Sequence, residues 1–226
     1  MLTVGITTYR AYGDLDACVQ SVAQSKWLPD RLVIVDSSEN PKELPYTEET
    51  IGCPVDIWQP GRNIGCAASW NHVLTNYDGF VILANSDVKF HEDCIERLTR
   101  AARAQPEEMF FYAGKGNCVM AWSLFLQTPE LFKRVGPYDS WFWPVCYEDA
   151  DYWIRMKHHG IGRVRVDDAE YYHRPHGSVR DLDKDEKHVR KSVWDEANKA
   201  YYIKKWGGIP GKETFCRAFN NVEGKA

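Results

Sequence analysis

No stretch of the 226 residues approaches the ~18 consecutive apolar residues that a membrane-spanning helix needs. Nor does Met1-Leu2-Thr3-Val4-Gly5-Ile6 carry the basic segment and small-residue cleavage site of a secretory leader. The expectation is a soluble, cytoplasmic protein with no integral membrane association. None of the seven cysteines (18, 53, 66, 94, 118, 146 and 216) stands in a C-x-x-C pair. Their odd number and scattered spacing exclude a zinc ribbon and a disulfide scaffold. Cys66 and Cys118 lie in apolar surroundings and read as small buried hydrophobes, which points to a reducing compartment.

Net positive charge is also missing. The formal charge of −4 excludes the global basic field of a non-specific nucleic-acid binder. The balance is uneven, at −8 over residues 1–150 and +4 over residues 151–226. A solvated mixed-charge face is the ordinary source of such an excess, and an anionic partner is the alternative. Glycine-rich phosphate loops are absent too. Tyr9-Arg10-Ala11-Tyr12-Gly13 follows the first apolar run where a dinucleotide-binding dehydrogenase would have G-x-G-x-x-G. A sugar nucleotidyltransferase would need a glycine-rich basic loop at the same place.

What is present suits a packed domain. Hydrophobic residues make up 44% of the chain, enough for a sizeable core. Leu2 to Thr8 and Arg31 to Val35 are short β-branched runs that predict buried strands. Between them Leu15, Cys18, Val19, Val22 and Ala23 recur at helical spacing, with Asp14 as a cap and Pro29 as a stop. Strand, helix and parallel strand make a βαβ unit, hence a sheet covered on both faces. Further strands are expected at 55–58, 79–84, 110–112, 117–126 and 162–166. Helices are expected at 64–77, 92–104, after Pro129, at 148–158 and at 185–206, with 176–184 as a mobile loop.

In open α/β sheets ligands bind where strands deliver loops at their carboxyl ends. Three such ends carry suggestive groups: Thr7-Thr8-Tyr9, Asp36-Ser37-Ser38 and Asn85-Ser86-Asp87. A Thr or Tyr beside an Asp can read a nucleobase and a ribose. A further carboxylate can hold Mg²⁺ or Mn²⁺ against a diphosphate, because these ions take oxygen ligands and share them with phosphates. Each carboxylate alone is as readily a helix cap or a turn residue.

Four segments in register resemble the inverting family 2 glycosyltransferases of the GT-A fold. VGITTYR…LVIVDSS is similar to the family's start, and residues 61–71 (GRNIGCAASWN) to its N-x-G-x-x-x-x-x-N helix start. VILANSDV resembles the Asp-x-Asp metal motif, and VGPYDSWFWPVCYEDADYWIRMKHHG the acceptor-side Glu-Asp signature. The likeness runs over roughly residues 2–178, and a looser one at the C-terminus is to short standalone phage and bacterial members. It implies an α/β GT-A fold, a single mixed, mostly parallel sheet flanked by helices. The catalytic domain would cover 1–180, with a nucleotide-sugar half at about 1–90 and an acceptor half at about 91–180. Residues 181–226 would form a helix and tail packing on the same domain.

The same resemblance implies a UDP- or dTDP-linked sugar donor and Mn²⁺ or Mg²⁺ as cofactor. Thr7, Tyr9, Asp36, Arg62, Asn63, Asn85 and Ser86 would bind the donor. Asp87 and His173 would hold the metal, with His176 as the second choice of histidine. Asp149 would be the general base, with Glu148 holding the acceptor or the base. Inverting transfer needs such a base to take the acceptor proton as the hydroxyl attacks the anomeric carbon. Trp141, Trp143 and Tyr147 would stack on the acceptor, although Trp141 and Trp143 suit the core equally well. Arg174 and Arg180 are candidates for the diphosphate. The acceptor is open among a glycan, a protein and a hydroxylated DNA base. Two departures stand out: Asn85 replaces an acidic residue, and Val145-Cys146-Tyr147 replace the small Gly-Gly often found before Glu-Asp. A non-catalytic nucleotide-sugar-binding module on the same fold is the rival reading. The joint presence of Asp36, Asp87, Glu148, Asp149 and His173 argues against it.

Overall fold

The computed structural model describes residues 1–174 and 195–220. The β-branched runs form one eight-stranded sheet. Its strands are β1 (Leu2–Thr8), β2 (Arg31–Asp36), β3 (Val55–Trp58), β4 (Phe80–Asn85), β5 (Val88–Phe90), β6 (Phe110–Gly116), β7 (Leu124–Gln127) and β8 (Val164–His173). The order across the sheet is β3-β2-β1-β4-β7-β6-β8-β5. β1 runs parallel to β2 and β4, β2 to β3, and β6 to β8. β7 is antiparallel to both of its neighbours, and β5 is antiparallel to β8. This is the mixed, mainly parallel α/β sheet that the alternating pattern predicts.

The helices are α1 (Tyr12–Ala23), α2 (Glu48–Ile51), α3 (Cys66–Asn76), α4 (Cys94–Ala104), α5 (Pro129–Val135), α6 (Glu148–His158) and α7 (Asp195–Trp206). Successive side chains of a strand point to opposite faces, so the parallel strands feed two cores. On one face Val4, Ile6, Ile34 and Ile82 pack with Leu15, Cys18 and Val22 of α1 and Leu98 of α4. On the other, Val33, Val35 and Leu83 pack with Trp70 and Val73 of α3 and Tyr152 and Met156 of α6. Gly5 lets α3 come close to the sheet, because a Cβ there would lie 2.8 Å from Val73 Cγ1.

A third, smaller cluster joins α7 to α6 through Phe142, Ile154, Tyr202 and Trp206. At its centre Asp151 is fully buried. It accepts from Arg155 Nε at 2.9 Å and Trp206 Nε1 at 2.9 Å, and pairs with Lys205 Nζ at 2.6 Å. Lys205 also reaches Asp139 Oδ2 at 2.6 Å, and the Tyr201 hydroxyl donates to the same oxygen at 2.9 Å.

Several boundaries differ from expectation. Helix α1 begins at Tyr12 with Ala11 at its N-cap, so Asp14 is not the cap. It lies in the first turn and accepts from Arg174 Nε at 3.1 Å, a contact between residues 160 positions apart in the chain. Helix α3 begins at Cys66 rather than Ile64, because Gly65 takes a left-handed φ of 80°. The expected strand over 117–126 is only Leu124–Gln127; before it, Ser123 N donates to Met120 O in a turn. Strand β8 runs on from Val166 to His173, since Glu170 and Tyr171 pair with β6, and Tyr171, Tyr172 and His173 with β5. β5 itself is three residues long and too short to show a period. Cys66 and Cys118 are half-buried, not buried; Cys18, Cys53 and Cys94 are the buried thiols, and all seven are free. The expected loop at 176–184, His176, Arg180 and residues 185–194 of the last helix lie outside the described residues.

Candidate active site

The carboxyl ends of β1 and β4 and the N-terminus of α6 enclose a cavity of about 240 Å³. Register puts Thr7 opposite Asn85 and Thr8 opposite Asp36, so three strand ends meet at one level. Thr7, Tyr9, Asn63, Asn85 and Asp87 line the cavity from the sheet side, and Glu148 and Asp149 from α6. Residues separated by more than half the chain therefore face one space.

Other expected donor residues take different places. Asp36 is fully buried beneath the strand ends, and none of its carboxylate faces the cavity. Its Oδ1 accepts from Ser38 N and Oγ at 3.1 and 2.6 Å, and its Oδ2 from Tyr12 Oη and Gln59 Nε2 at 3.1 and 3.0 Å. Ser86 is buried and its amide donates to Thr7 O, and Arg62 is exposed beside Asn63. Asn63 Oδ1 accepts from Gly65 N at 2.9 Å, which shapes the turn into α3.

Asp87 sits in the two-residue turn between β4 and β5. Pairing of Val88 with His173 across β5 and β8 brings the imidazole alongside it. His173 Nε2 lies 3.4 Å from Asp87 Oδ1, and both side chains are buried. His173 Nδ1 has no hydrogen-bond partner among the described residues. The imidazole does not line the main cavity but stands behind Asp87.

At the start of α6 the two carboxylates differ. Glu148 is buried, with Oε2 unpartnered among the described residues. Burial first, and then the neighbouring charge of Asp149, push its carboxyl up to about 8. Asp149 is half-buried and also raised by burial, while the Ala150 amide, donating to Oδ1 at 2.7 Å, pulls it back. Of the two, Glu148 is the more deeply buried and holds its proton to the higher pH. The sign of the linked stability follows from Glu148. Its folded value lies above the ordinary 4.5, so its stabilising contribution is complete below about 4.5 and is lost as pH rises through about 8. Glu148→Gln should accordingly melt close to wild type at pH 5 and on the order of 5–10 °C higher at pH 9. Equal shifts at both pH values would refute the assignment.

The loop before α6 takes a backbone that the Gly-Gly often found there would adopt freely. Cys146 and Tyr147 have φ of 82° and 75°, both left-handed. Non-glycine residues pay ~1–2 kcal/mol each for that conformation, so glycine is the undemanding choice there. Trp143 donates its indole N–H to Asn63 O at 3.0 Å and is 44% exposed, and Trp141 is 79% exposed. Tyr147 is half-buried, with its ring 5.6 Å from that of Tyr202. None of these three aromatics lines the cavity.

Thr8, beside Thr7, also lines the wall, as do residues to which the sequence reading gave no role: Cys66, Ser69, Trp70, Met120, Trp122 and Ser123. Met120 to Ser123 arrive through the antiparallel strand β7, and Asn85 N donates to Ser123 O at 3.1 Å. No local sequence signal marks them. Thr8 Oγ1 and Trp70 Nε1, like Glu148 Oε2, are buried without partners among the described residues. Such atoms cost about 1–3 kcal/mol apiece unless a bound molecule satisfies them.

A mainly parallel sheet with this strand order and a cleft at its carboxyl ends defines a GT-A fold. The solved structures it resembles agree. The mannosyltransferase PcManGT from Pyrobaculum calidifontis, in complex with GDP-Man and Mn²⁺, superposes with a TM-score of 0.64 at 15% identity, covering 92% of this chain and 65% of that one. GalNAc-T7 with UDP, GalNAc and Mn²⁺ gives 0.65 at 15% identity, covering 91% and 50%. S. aureus TarS 1-349 in complex with UDP-GlcNAc gives 0.60 at 12% identity, covering 87% and 66%. The chain spans about two thirds or less of these proteins' lengths. No curated protein matches the sequence. The model of glycosyl transferase family 2 matches residues 3–159, and the chain belongs to that family.

Proposed function

We propose that this protein transfers a sugar from a UDP- or dTDP-linked donor to an acceptor hydroxyl, with inversion at the anomeric carbon. The observation that carries the reading is the single cavity joining donor-type residues at the strand ends to the Glu148–Asp149 pair, with unpartnered polar atoms in its wall. Thr7 and Tyr9 meet the nucleoside, and Asp36 braces the Ser37-Ser38 turn beneath it. Asn63, Asn85 and the Ser86 turn border the sugar-diphosphate, with Arg62 at the edge. Asp149, left ionised while Glu148 holds the proton, is the available base of the pair and takes the acceptor proton as the new C–O bond forms. Glu148, protonated, donates a hydrogen bond that orients the acceptor or Asp149.

Asp87 and His173 fit a divalent cation as a carboxylate–imidazole pair, and imidazole favours Mn²⁺ over Mg²⁺. No group of three His, Cys, Asp or Glu converges among the described residues, so donor phosphate oxygens and water would supply the remaining ligands. When bound, the ion neutralises charge on the leaving diphosphate.

For the acceptor, the exposed indole faces of Trp141 and Trp143, in the segment that leads into Glu148 and Asp149, suit sugar C–H faces, and we favour a carbohydrate hydroxyl. A hydroxylated DNA base would instead show duplex binding that weakens steeply with salt. UDP or dTDP with Mn²⁺, at 100 times its dissociation constant, should stabilise the protein by about 2.7 kcal/mol, a shift of roughly 5–10 °C. Asp87→Ala and His173→Ala should each weaken the Mn²⁺-dependent part of binding by ~10- to 100-fold or more. No response to any nucleoside diphosphate would sink the proposal, and binding without turnover would leave the non-catalytic module.

A further inference from the structure

We propose that Asn198, on helix α7, is a positioning residue of the active site: its side-chain amide holds loop 145–147 in the left-handed turn that delivers Glu148 and Asp149 to the cavity. The proposal rests on the reading of Asp149 as base. Asn198 is buried, and its Nδ2 donates to Val145 O at 2.9 Å and Cys146 O at 3.3 Å. Val145 lines the cavity, and the next two residues are the left-handed pair Cys146 and Tyr147. Tyr147 is the N-cap of α6 and makes no side-chain capping bond. The direction in which α6 starts is therefore set by the loop, and the loop carbonyls are held from α7.

Residue chemistry at position 198 is narrow. Two carbonyls need a donor with two N–H groups, which an amide supplies and a carboxylate cannot. The support behind Asn198 is firm, since Lys205 and Trp206 of the same helix are tied to Asp151 of α6, and Tyr201 to Asp139. Helix α7 lies outside the segment that matches the family model, so this brace belongs to the chain's own C-terminal part.

Asn198→Ala should lower kcat ~10- to 100-fold through misplacement of the carboxylates, with donor KM and the UDP–Mn²⁺ thermal shift unchanged. Asn198→Asp should be at least as impaired. If the amide acts by holding the left-handed turn, glycine at a loop position relieves the need for it. In a Cys146→Gly background, Asn198→Ala should then cost only a few-fold. Hydrogen exchange at the Asp151 amide, which donates to Tyr147 O at 2.9 Å, reads the same geometry without turnover. It should quicken ~10-fold or more in Asn198→Ala and return toward wild type with Cys146→Gly. An unchanged kcat in a folded Asn198→Ala protein, or equal losses in both backgrounds, overturns the proposal. A wild type inactive toward every donor would instead refute the proposed function. In that case unchanged Asp151 exchange in Asn198→Ala overturns the brace, and quickened exchange supports it.

Discussion

Asn in place of Asp149 is expected to lower turnover by ~100- to 10,000-fold while donor affinity stays nearly constant. The substitution keeps the shape of the side chain and removes the basic site, so the loss belongs to the chemical step. Glu148→Gln should cost less, because a protonated carboxyl and an amide both donate a hydrogen bond, and its effect should fall on the acceptor KM. The two roles have a common physical origin in the first turn of α6, where burial favours the proton on Glu148 and the Ala150 amide favours the charge on Asp149. Single-turnover rates with saturating donor make the check. An inactive Glu148→Gln beside an active Asp149→Asn would exchange the assignments.

A second large effect is expected in stability. Asp151→Ala should destabilise the protein by ~3–5 kcal/mol, the usual result of removing one member of a buried ion cluster. Lys205 and Arg155 would be left with Asp139 and a backbone carbonyl, Val135 O, as their remaining polar partners. That is a large part of the ~5–15 kcal/mol that separates folded from unfolded states in most domains. Lys205→Met should cost less, since Asp151 keeps Arg155 and Trp206. Urea unfolding of the two variants provides the measurement, and a loss under 1 kcal/mol for Asp151→Ala would show that the cluster contributes little.

The parallel half of the fold was legible in the sequence because its signals are local. Leu2 to Thr8, Arg31 to Val35 and Gly79 to Ala84 are apolar runs bounded by turns, and each became a strand within a residue or two. The antiparallel half was harder. Strand β5 has three residues, and the 117–123 segment is apolar in places yet turns, because hydrogen bonds from Tyr171 Oη to Met120 and from Ser123 to Met120 fix it. At the site, Asp149 and Glu148 were singled out by the resemblance of their segment to the family's Glu-Asp signature, whereas the proximity of Asp87 and His173 depends on a pairing that no short window contains. Asp36 illustrates the remaining gap: strand-end position was readable, but the four hydrogen bonds that bury its carboxylate come from α1, β2's own turn and the segment after β3.

The sheet order also sets a timetable for the nascent chain. Strands β1 to β4 can pair as soon as they leave the ribosome, because each finds its neighbour among residues already made. Strand β5 cannot. Among the described residues its ladder partner is β8 alone, so Val88 to Phe90 must wait for Tyr171 to His173, a delay on the order of ten seconds at ordinary elongation rates. During that interval Asp87 follows β4 without the β5–β8 pairing that sets it beside His173. A chain stalled near residue 160 would already contain Asp149 and all of α6, yet would lack both the strand that seats Asp87 and the histidine that stands behind it.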